Sequence, residues 1–375
     1  ITERLFSYLS PESQGALCRA AVFTVPVNLE GFSAVSGVPQ QRMSGLAGEW
    51  RNRAFVYHDP EKSIWTVFGI LRVWLFSKLS VEDQEVAHKA AGDLIYRLLK
   101  QRNEASLGLN WIDCLLEARN HYVMGRDINK ARGATNTLST FYLYTGNYKN
   151  VININDDINK FGEYPNSCVR IGQAYLNQGN QSEAIKHFEK AKSLIQNPIS
   201  HEGAAIIHGL AQIERIKGNH EIARKMFQSV IEISRQINDP RIEGHAIGEL
   251  AIIDHDEGKL DDALNKLFLA TEIESKISNK HRDQNPSILH NIGSIYMRKK
   301  EYDKSLYYFL EALKIEQNRS DKYGEGMTFF LLANVALHLK KPDCCLRLSV
   351  LSIAILKSIG HYYFREIEPI VSSNI

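Results

Sequence analysis

Residues 165–197 read PNSCVRIGQAYLNQGNQSEAIKHFEKAKSLIQN, and the two halves of this stretch carry the same helical rhythm. Val169, Gly172, Gln173, Tyr175 and Leu176 recur at helical spacing; Gly179-Asn180 breaks the pattern; Ala184, Phe188 and Ala191 restart it. The pattern predicts two antiparallel helices across a tight turn. Gly172 and Ala184 let the two axes approach, while Tyr175 and Phe188 fill the space beside them, each contributing roughly 1.5–3 kcal/mol when buried. A bulky side chain at Gly172 is expected to overpack the hairpin.

The unit recurs. Val151, Ala184, Ala223, Ala263, Ser305 and Cys345 align as the small residue of the second helix, with Ser139, Gly172, Ala211, Ala251, Gly293 and Ala333 twelve residues before them. Six copies cover 132–358, with steps of 33, 39, 40, 42 and 40 residues. Ile171-Gly172, Tyr175, Gly179, Ala184, Phe188 and Ala191 resemble the signature of a tetratricopeptide repeat, a form of roughly 34 residues. Phe227, Tyr296, Phe309 and Ala312 stand at matching structural positions in later copies. The resemblance implies a mainly α fold, a right-handed α-solenoid of about six repeats over 132–375 with a concave groove.

A 375-residue chain is too long for one ordinary core but suits a solenoid joined to a small domain. Lys plus Arg number 45 against 43 for Asp plus Glu, so no net field draws the chain to nucleic acid or an anionic membrane. Five scattered cysteines without CxxC spacing fit free thiols in a reducing cytoplasm, the expected location. The longest apolar stretch, 64–76, is shorter than the roughly 18–20 residues a membrane span needs, and Arg72 interrupts it. No signal peptide is read at the start. The chain begins at Ile1 rather than Met, and Tyr362-Tyr363-Phe364 reads as the start of a further first helix. Whether either end is a boundary cut in a longer protein stays open at this point.

The first 99 residues follow another pattern. Helices are expected over 2–8, 11–23, 28–35 and 40–50, then strands over 54–58 and 64–67 joined through Asp59-Pro60-Glu61-Lys62. Helices followed by a small hairpin predict a winged-helix domain. LSPESQGALCRAAVF (9–23), AVSGV (34–38), VFGILRVWLFSKLS (67–80) and VAHKAAGDLI (86–95) resemble the winged helix of STAND (NB-ARC-like) signal-transduction ATPases. In that family a P-loop nucleotide-binding domain precedes the winged helix and a repeat sensor commonly follows it. Residues 100–131 are expected to form a helical connector packing on the first repeat, centred on Trp111, Leu115, Ala118 and Tyr122 with Gly125 as its stop. Glu117 to Tyr122 resembles the connector of such proteins.

Two departures bear on nucleotide. No GxxxxGK[ST] loop occurs, so the backbone cradle for phosphates is missing and the chain is not expected to be an enzyme by itself. The family's winged helix offers a histidine to nucleotide in a Met-His-Asp signature; the matching residues here are Val67-Phe68-Gly69, and phenylalanine cannot donate to a phosphate. Either the parent protein senses nucleotide without that contact, or the domain is a structural hinge, or the correspondence is shifted.

Asp254-His255-Asp256-Glu257 is the densest group of potential metal ligands, but it precedes Gly258 at a turn expected to be solvated. His201-Glu202 and His220-Glu221 lack the second histidine of HExxH. No metal or cofactor is expected. The helix over 40–50 carries Arg42 alone as a base reader, with Arg51, Arg53 and Arg72 outside it, which argues against DNA. The final copy, with Ser349 and Ser352 at the Phe188 and Ala191 positions, is expected to present the polar outer face of a terminal cap.

The groove face of the first helices is the candidate binding surface for a protein or peptide. It is read as Val169, Gln173, Leu176 and Asn177, then His208, Gln212 and Arg215, then His245, Ile252 and His255. It continues as His290, Ser294, Met297 and Arg298, then Phe330, Asn334, Leu337 and His338. Five of the 13 histidines fall on it, more than even scatter gives. His208, Arg215, His255, His290 and Arg298 are expected to carry specificity for an extended or acidic ligand, with charge responsive between about pH 5 and 8. The face lacks the lysines of a carboxylate clamp. Two readings stay open: the ligand-sensing arm of a STAND ATPase that relieves autoinhibition, or a free-standing repeat adaptor.

Overall fold

A computed structural model describes residues 1–102, 107, 109–277, 285–359 and 367. The chain divides into two compact units, Ile1–Leu138 and Ser139–Ile375. Tyr362-Tyr363-Phe364 lies outside the described residues.

The first unit opens with four helices, α1 (Thr2–Ser7), α2 (Pro11–Ala20), α3 (Leu29–Ser36) and α4 (Gln40–Asn52). The hairpin β1 (Val56–Asp59) and β2 (Ile64–Val67) follows, then α5 (Gly69–Phe76), α6 (Val81–Lys100) and α7 (Trp111–Met124). Ser10 and Ser80 start α2 and α6 by accepting from the backbone N–H of Ser13 and Asp83. The first strand begins two residues later than expected because Ala54 is left-handed, with φ of 58°, and cannot pleat. Asp59 joins the strand opposite Ile64 and accepts from the N–H groups of Glu61 and Lys62. Val27 pairs with Trp65 through both backbone bonds, 2.9 and 2.6 Å, adding a bridge on the hairpin's outer edge. Trp50 is fully buried, its Nε1–H donating to Ser13 Oγ at 2.9 Å, and Ser13 donates onward to Glu49 at 3.0 Å.

The expected docking of α7 on the first repeat is seen in the buried bond from Arg119 Nε to Thr135 Oγ1 of the next helix at 2.8 Å, and α7 also lies along α6. A Cβ at Gly92 would stand 2.8 Å from the Tyr122 ring, and the Tyr122 hydroxyl donates to Asp93 at 3.0 Å. Gly125 does end α7, but with an ordinary φ of −79°. The glycine is needed for space, since a Cβ there would meet Lys89 N at 2.9 Å and Glu85 O at 3.0 Å.

From α8 (Ile128–Tyr144), which runs from one unit into the next, the chain becomes a series of helix pairs. They are α8 with α9 (Tyr148–Asn159), α10 (Pro165–Asn177) with α11 (Gln181–Leu194), and α12 (His201–Ile216) with α13 (His220–Gln236). Then come α14 (Pro240–Asp256) with α15 (Leu260–Ile277), α16 (Pro286–Arg298) with α17 (Tyr302–Arg319), and α18 (Lys322–His338) with α19 (Pro342–Ser358). The aligned small residues occupy the helix crossings: Val151, Ala184, Ala223, Ala263 and Ser305 are fully buried, as are Ser139, Ala211 and Ala251. Cys345 is only half-buried. One core runs without a break from α12 to α17.

Phe188 joins neighbouring repeats. Its ring lies against Gly172 of its own pair and Gly209 of the next, where a Cβ would stand 3.0 and 2.6 Å from its Cε1. In the first pair the same column is polar, with buried Asn155 donating to Ser139 Oγ at 2.8 Å. In the last pair Ser352 Oγ donates to Gly326 O at 2.7 Å. The cap expectation is corrected: α19 exposes Leu346, Val350 and Leu351. Ile359, just past α19, packs directly against Gly146 in the first turn of the array, where a Cβ has no room.

Every pair turns through a left-handed residue seven positions after the first-helix small residue. Gly146, Gly179, Gly218 and Gly258 have φ of 72–82° in the first four, whereas Lys300 and Lys340 adopt φ of 61° and 57° in the last two. A side chain there costs about 1 kcal/mol against glycine. Lys300→Gly and Lys340→Gly should therefore each raise stability by about 0.5 kcal/mol after glycine's greater unfolded-state entropy is subtracted, measured by urea unfolding. A loss of stability in both would show that these turns are not strained.

Candidate functional site

Numbered from the small residue of each first helix, positions +1 and +4 face position −2 of the following first helix across the groove. Between α12 and α14 this contact is closed: Gln212 donates to Glu249 at 2.7 Å and Arg215 to the other Glu249 oxygen at 3.1 Å. Glu249 was not expected in the groove. Its partners stand 37 and 34 residues away, a spacing that varies from copy to copy, so helical periodicity alone does not reveal the pairing. Gln173 and Asn177 in α10 bond to each other at 3.0 Å.

The histidines divide. His208 and His290 are not free donors on the groove. Each sits three residues before its small residue, about 60° round the helix, close enough for the ring to reach the second helix of its own pair. His208 meets Phe227 edge-on at 5.4 Å and its Nε2 is buried without a partner; His290 meets Phe309 at 6.3 Å. His290 Nε2 also lies 3.0 Å from buried Glu316 and bonds the hydroxyl of Thr328, tying α16, α17 and α18 together. In this junction burial, with Glu316 and Glu325 nearby, pushes the Asp321 carboxyl up to about 6, although Gly324 N–H and His290 oppose the shift.

His245 is exposed, Asn334 half-buried, and His338 exposed and stacked on Tyr302 at 5.4 Å beside the last turn. His255 is half-buried. Its Nδ1 faces Asp256 at 3.4 Å, its Nε2 is buried without a partner, and its backbone carbonyl accepts from Arg298. Burial lowers the pKa of His208 and His255, with the Arg298 charge adding to the effect at His255. Both rings are therefore neutral over most of the range in which a charge switch was expected. Arg215 and Arg298 are likewise engaged within the array rather than free for ligand.

Asp254 is not a solvated turn residue. It occupies the column of Tyr175 and Tyr296, is 2% exposed, and is held by Arg224 at 2.9 Å and by Lys266. Where Tyr175 stacks on His187 at 5.5 Å and Tyr296 on Tyr308 at 5.6 Å, Asp254 and Lys266 form an ion pair at the matching positions. Among the described residues no group of three or more His, Cys, Asp or Glu side chains is placed to hold a metal. Among them, too, no helix is long and apolar enough to cross a membrane. All five cysteines are free thiols.

In the first unit Phe68 precedes α5 and is partly exposed, and Arg42 on α4 pairs with Glu12. His88 and His121 meet Nδ1 to Nδ1 at 2.9 Å. His121 is almost fully buried and its pKa is pushed down to about 3, by burial first and His88 second.

Tetratricopeptide-repeat models match residues 165–198 and 286–319. No curated protein matches the chain. Among solved structures, one similar to it is the signal transduction ATPase with numerous domains (STAND) protein with a tetratricopeptide repeat sensor, PH0952, from Pyrococcus horikoshii. That likeness has a TM-score of 0.66 at 17% identity over 95% of this chain and 52% of that one, so the chain spans about half the length of that protein. The thermophilic TPR protein TTC0263 of Thermus thermophilus follows at a TM-score of 0.40 and 17% identity, over 56% of this chain and 98% of that one. PilF of Pseudomonas aeruginosa gives 0.38 at 13% identity, over 65% of this chain and 99% of that one. The chain carries tetratricopeptide repeats in a mainly helical, solenoid-like array, the architecture of proteins that bind other proteins.

Proposed function

We propose that the chain is the winged-helix and sensor arm of a STAND-type signal-transduction ATPase, in which the repeat groove takes a protein or peptide ligand and so relieves inhibition of a nucleotide-binding domain. The observation that carries the reading is the PH0952 likeness, which extends over 95% of the chain and so includes the helix-and-hairpin region as well as the repeats. The order of elements in the first unit, four helices, a bridged hairpin and α5, supports a winged helix over 1–99. Residues 100–131 then serve as connector and 132–375 as sensor in the cytoplasm. In that setting the winged helix meets protein rather than nucleic acid, since Arg42 is already paired.

The gene upstream of Ile1 should encode a GxxxxGK[ST] loop; an initiator Met directly before Ile1 would support the adaptor reading instead. Purified residues 1–375 should bind neither ATP nor ADP tightly by calorimetry, because the chain has no phosphate cradle and Phe68 has no donor for a phosphate. Submicromolar nucleotide binding would show a site that this assignment lacks.

A further inference from the structure

The contact that Arg215 and Glu249 close between α12 and α14 is left open one repeat later. His255 in α14 holds the +4 position of Arg215, and Asn291 in α16 holds the −2 position of Glu249. Instead of an ion pair, these two residues line a slot of about 210 Å³ with Ser294, over a floor of Ala251, Ile252 and Ile295. Its polar groups have unused bonding capacity. His255 Nε2 is buried without a partner, and among the described residues Asn291 and Ser294 have no side-chain bonds.

The chemistry of an occupant follows from the charges. Asp256 can only accept, so the His255 proton sits on Nδ1 and Nε2 presents a lone pair that needs a donor. A carboxylate has no proton to give. A cation would lie beside the Arg298 guanidinium, which is bonded to the His255 carbonyl. Asn291 and Ser294 can each donate or accept, and a planar carboxamide, with an N–H and a carbonyl side by side, can meet His255 and one of them at once.

Building on the peptide-groove reading, we propose that this slot binds one uncharged carboxamide of an extended peptide, whose N–H donates to His255 Nε2 while its carbonyl accepts from Asn291 or Ser294. The slot thus selects a neutral amide within a groove closed by an ion pair on one side. The next step of the groove is apolar, with Met297 and Leu331 at the +4 and −2 positions.

The test uses the full chain labelled with ¹⁵N-histidine, with the His255 ring assigned through His255→Gln. Acetamide is titrated against acetate and ethanol while the ring nitrogens are observed. Nε2 should start unprotonated and shift saturably with the amide, with at least about tenfold weaker effects from the acid and the alcohol. Asn291→Ala should weaken the amide response by a similar factor at unchanged melting temperature. A protonated Nε2, no shift, or equal responses to the three probes would overturn the proposal. If a pooled peptide library perturbs the exposed groove histidines His245 and His338 but leaves His255 unmoved, the slot falls and the groove reading stands; silence along the whole groove removes both.

Discussion

Phe188→Ala should destabilise the repeat array by about 3–5 kcal/mol and loosen both its own pair and the one after it. The ring is fully buried and fills two close approaches at once, one inside its own hairpin at Gly172 and one to the next at Gly209. Its loss leaves a cavity that neither glycine backbone can fill, so hydrogen exchange should quicken in α10, α11 and α12 together. Gly209→Ala tests the same contact from the other side and should cost about 1–3 kcal/mol by overpacking. Phe309→Ala should resemble Phe188→Ala, whereas Leu348→Ala should be milder because Leu348 is only partly buried beside Phe309 and Leu332. Equal losses at the centre and the end would contradict nearest-neighbour coupling along the array.

Acidification should unfold the first unit well before carboxylate protonation does so. His121 has a folded pKa of about 3 against an ordinary 6.5. Between those values the unfolded chain binds the proton and the folded unit does not, so stability is complete above about pH 6.5 and is lost as pH falls. The slope is about 1.4 kcal/mol per pH unit, reaching on the order of 4 kcal/mol. The groups facing His121 do not reverse this. His88 touches it ring to ring and is itself lowered by burial, the Phe23 ring packs edge-on, and Glu117 stands 3.6 Å from Nε2 while accepting from Thr24. All four tryptophans, Trp50, Trp65, Trp74 and Trp111, lie in this unit, so their fluorescence isolates it. Urea midpoints by that signal should fall steeply from pH 7 to 5 in the wild type and less in His121→Gln. Parallel slopes in the two proteins would mean that His121 is solvated.

What lay within one helix or one turn was legible in the chain. The crossing residues Gly172 and Ala184, the aromatic Phe188 and the break at Gly179 follow a local period, and the structure buries or turns them where that period requires. The helix starts at Ser10 and Pro11 were readable for the same reason. The hairpin was found with its second strand at 64–67 as expected, and only the first strand starts two residues late, because the left-handed Ala54 leaves no mark in a β-rich stretch.

By itself the sequence determined the helical pairs, their six-fold recurrence and the residues at each crossing, because these depend on a spacing of about 3.6 residues that every copy preserves. Only the tertiary structure decided what the groove offers. Whether Arg215 is free or bound to Glu249, whether His208 faces a ligand or Phe227, and whether Asp254 meets water or Lys266 all depend on side chains brought together by packing. The partners lie 12 to 34 residues apart. A helical wheel gives the direction of a residue on its own axis; the depth and tilt of the neighbouring helix settle whether that direction ends in solvent or in a bond.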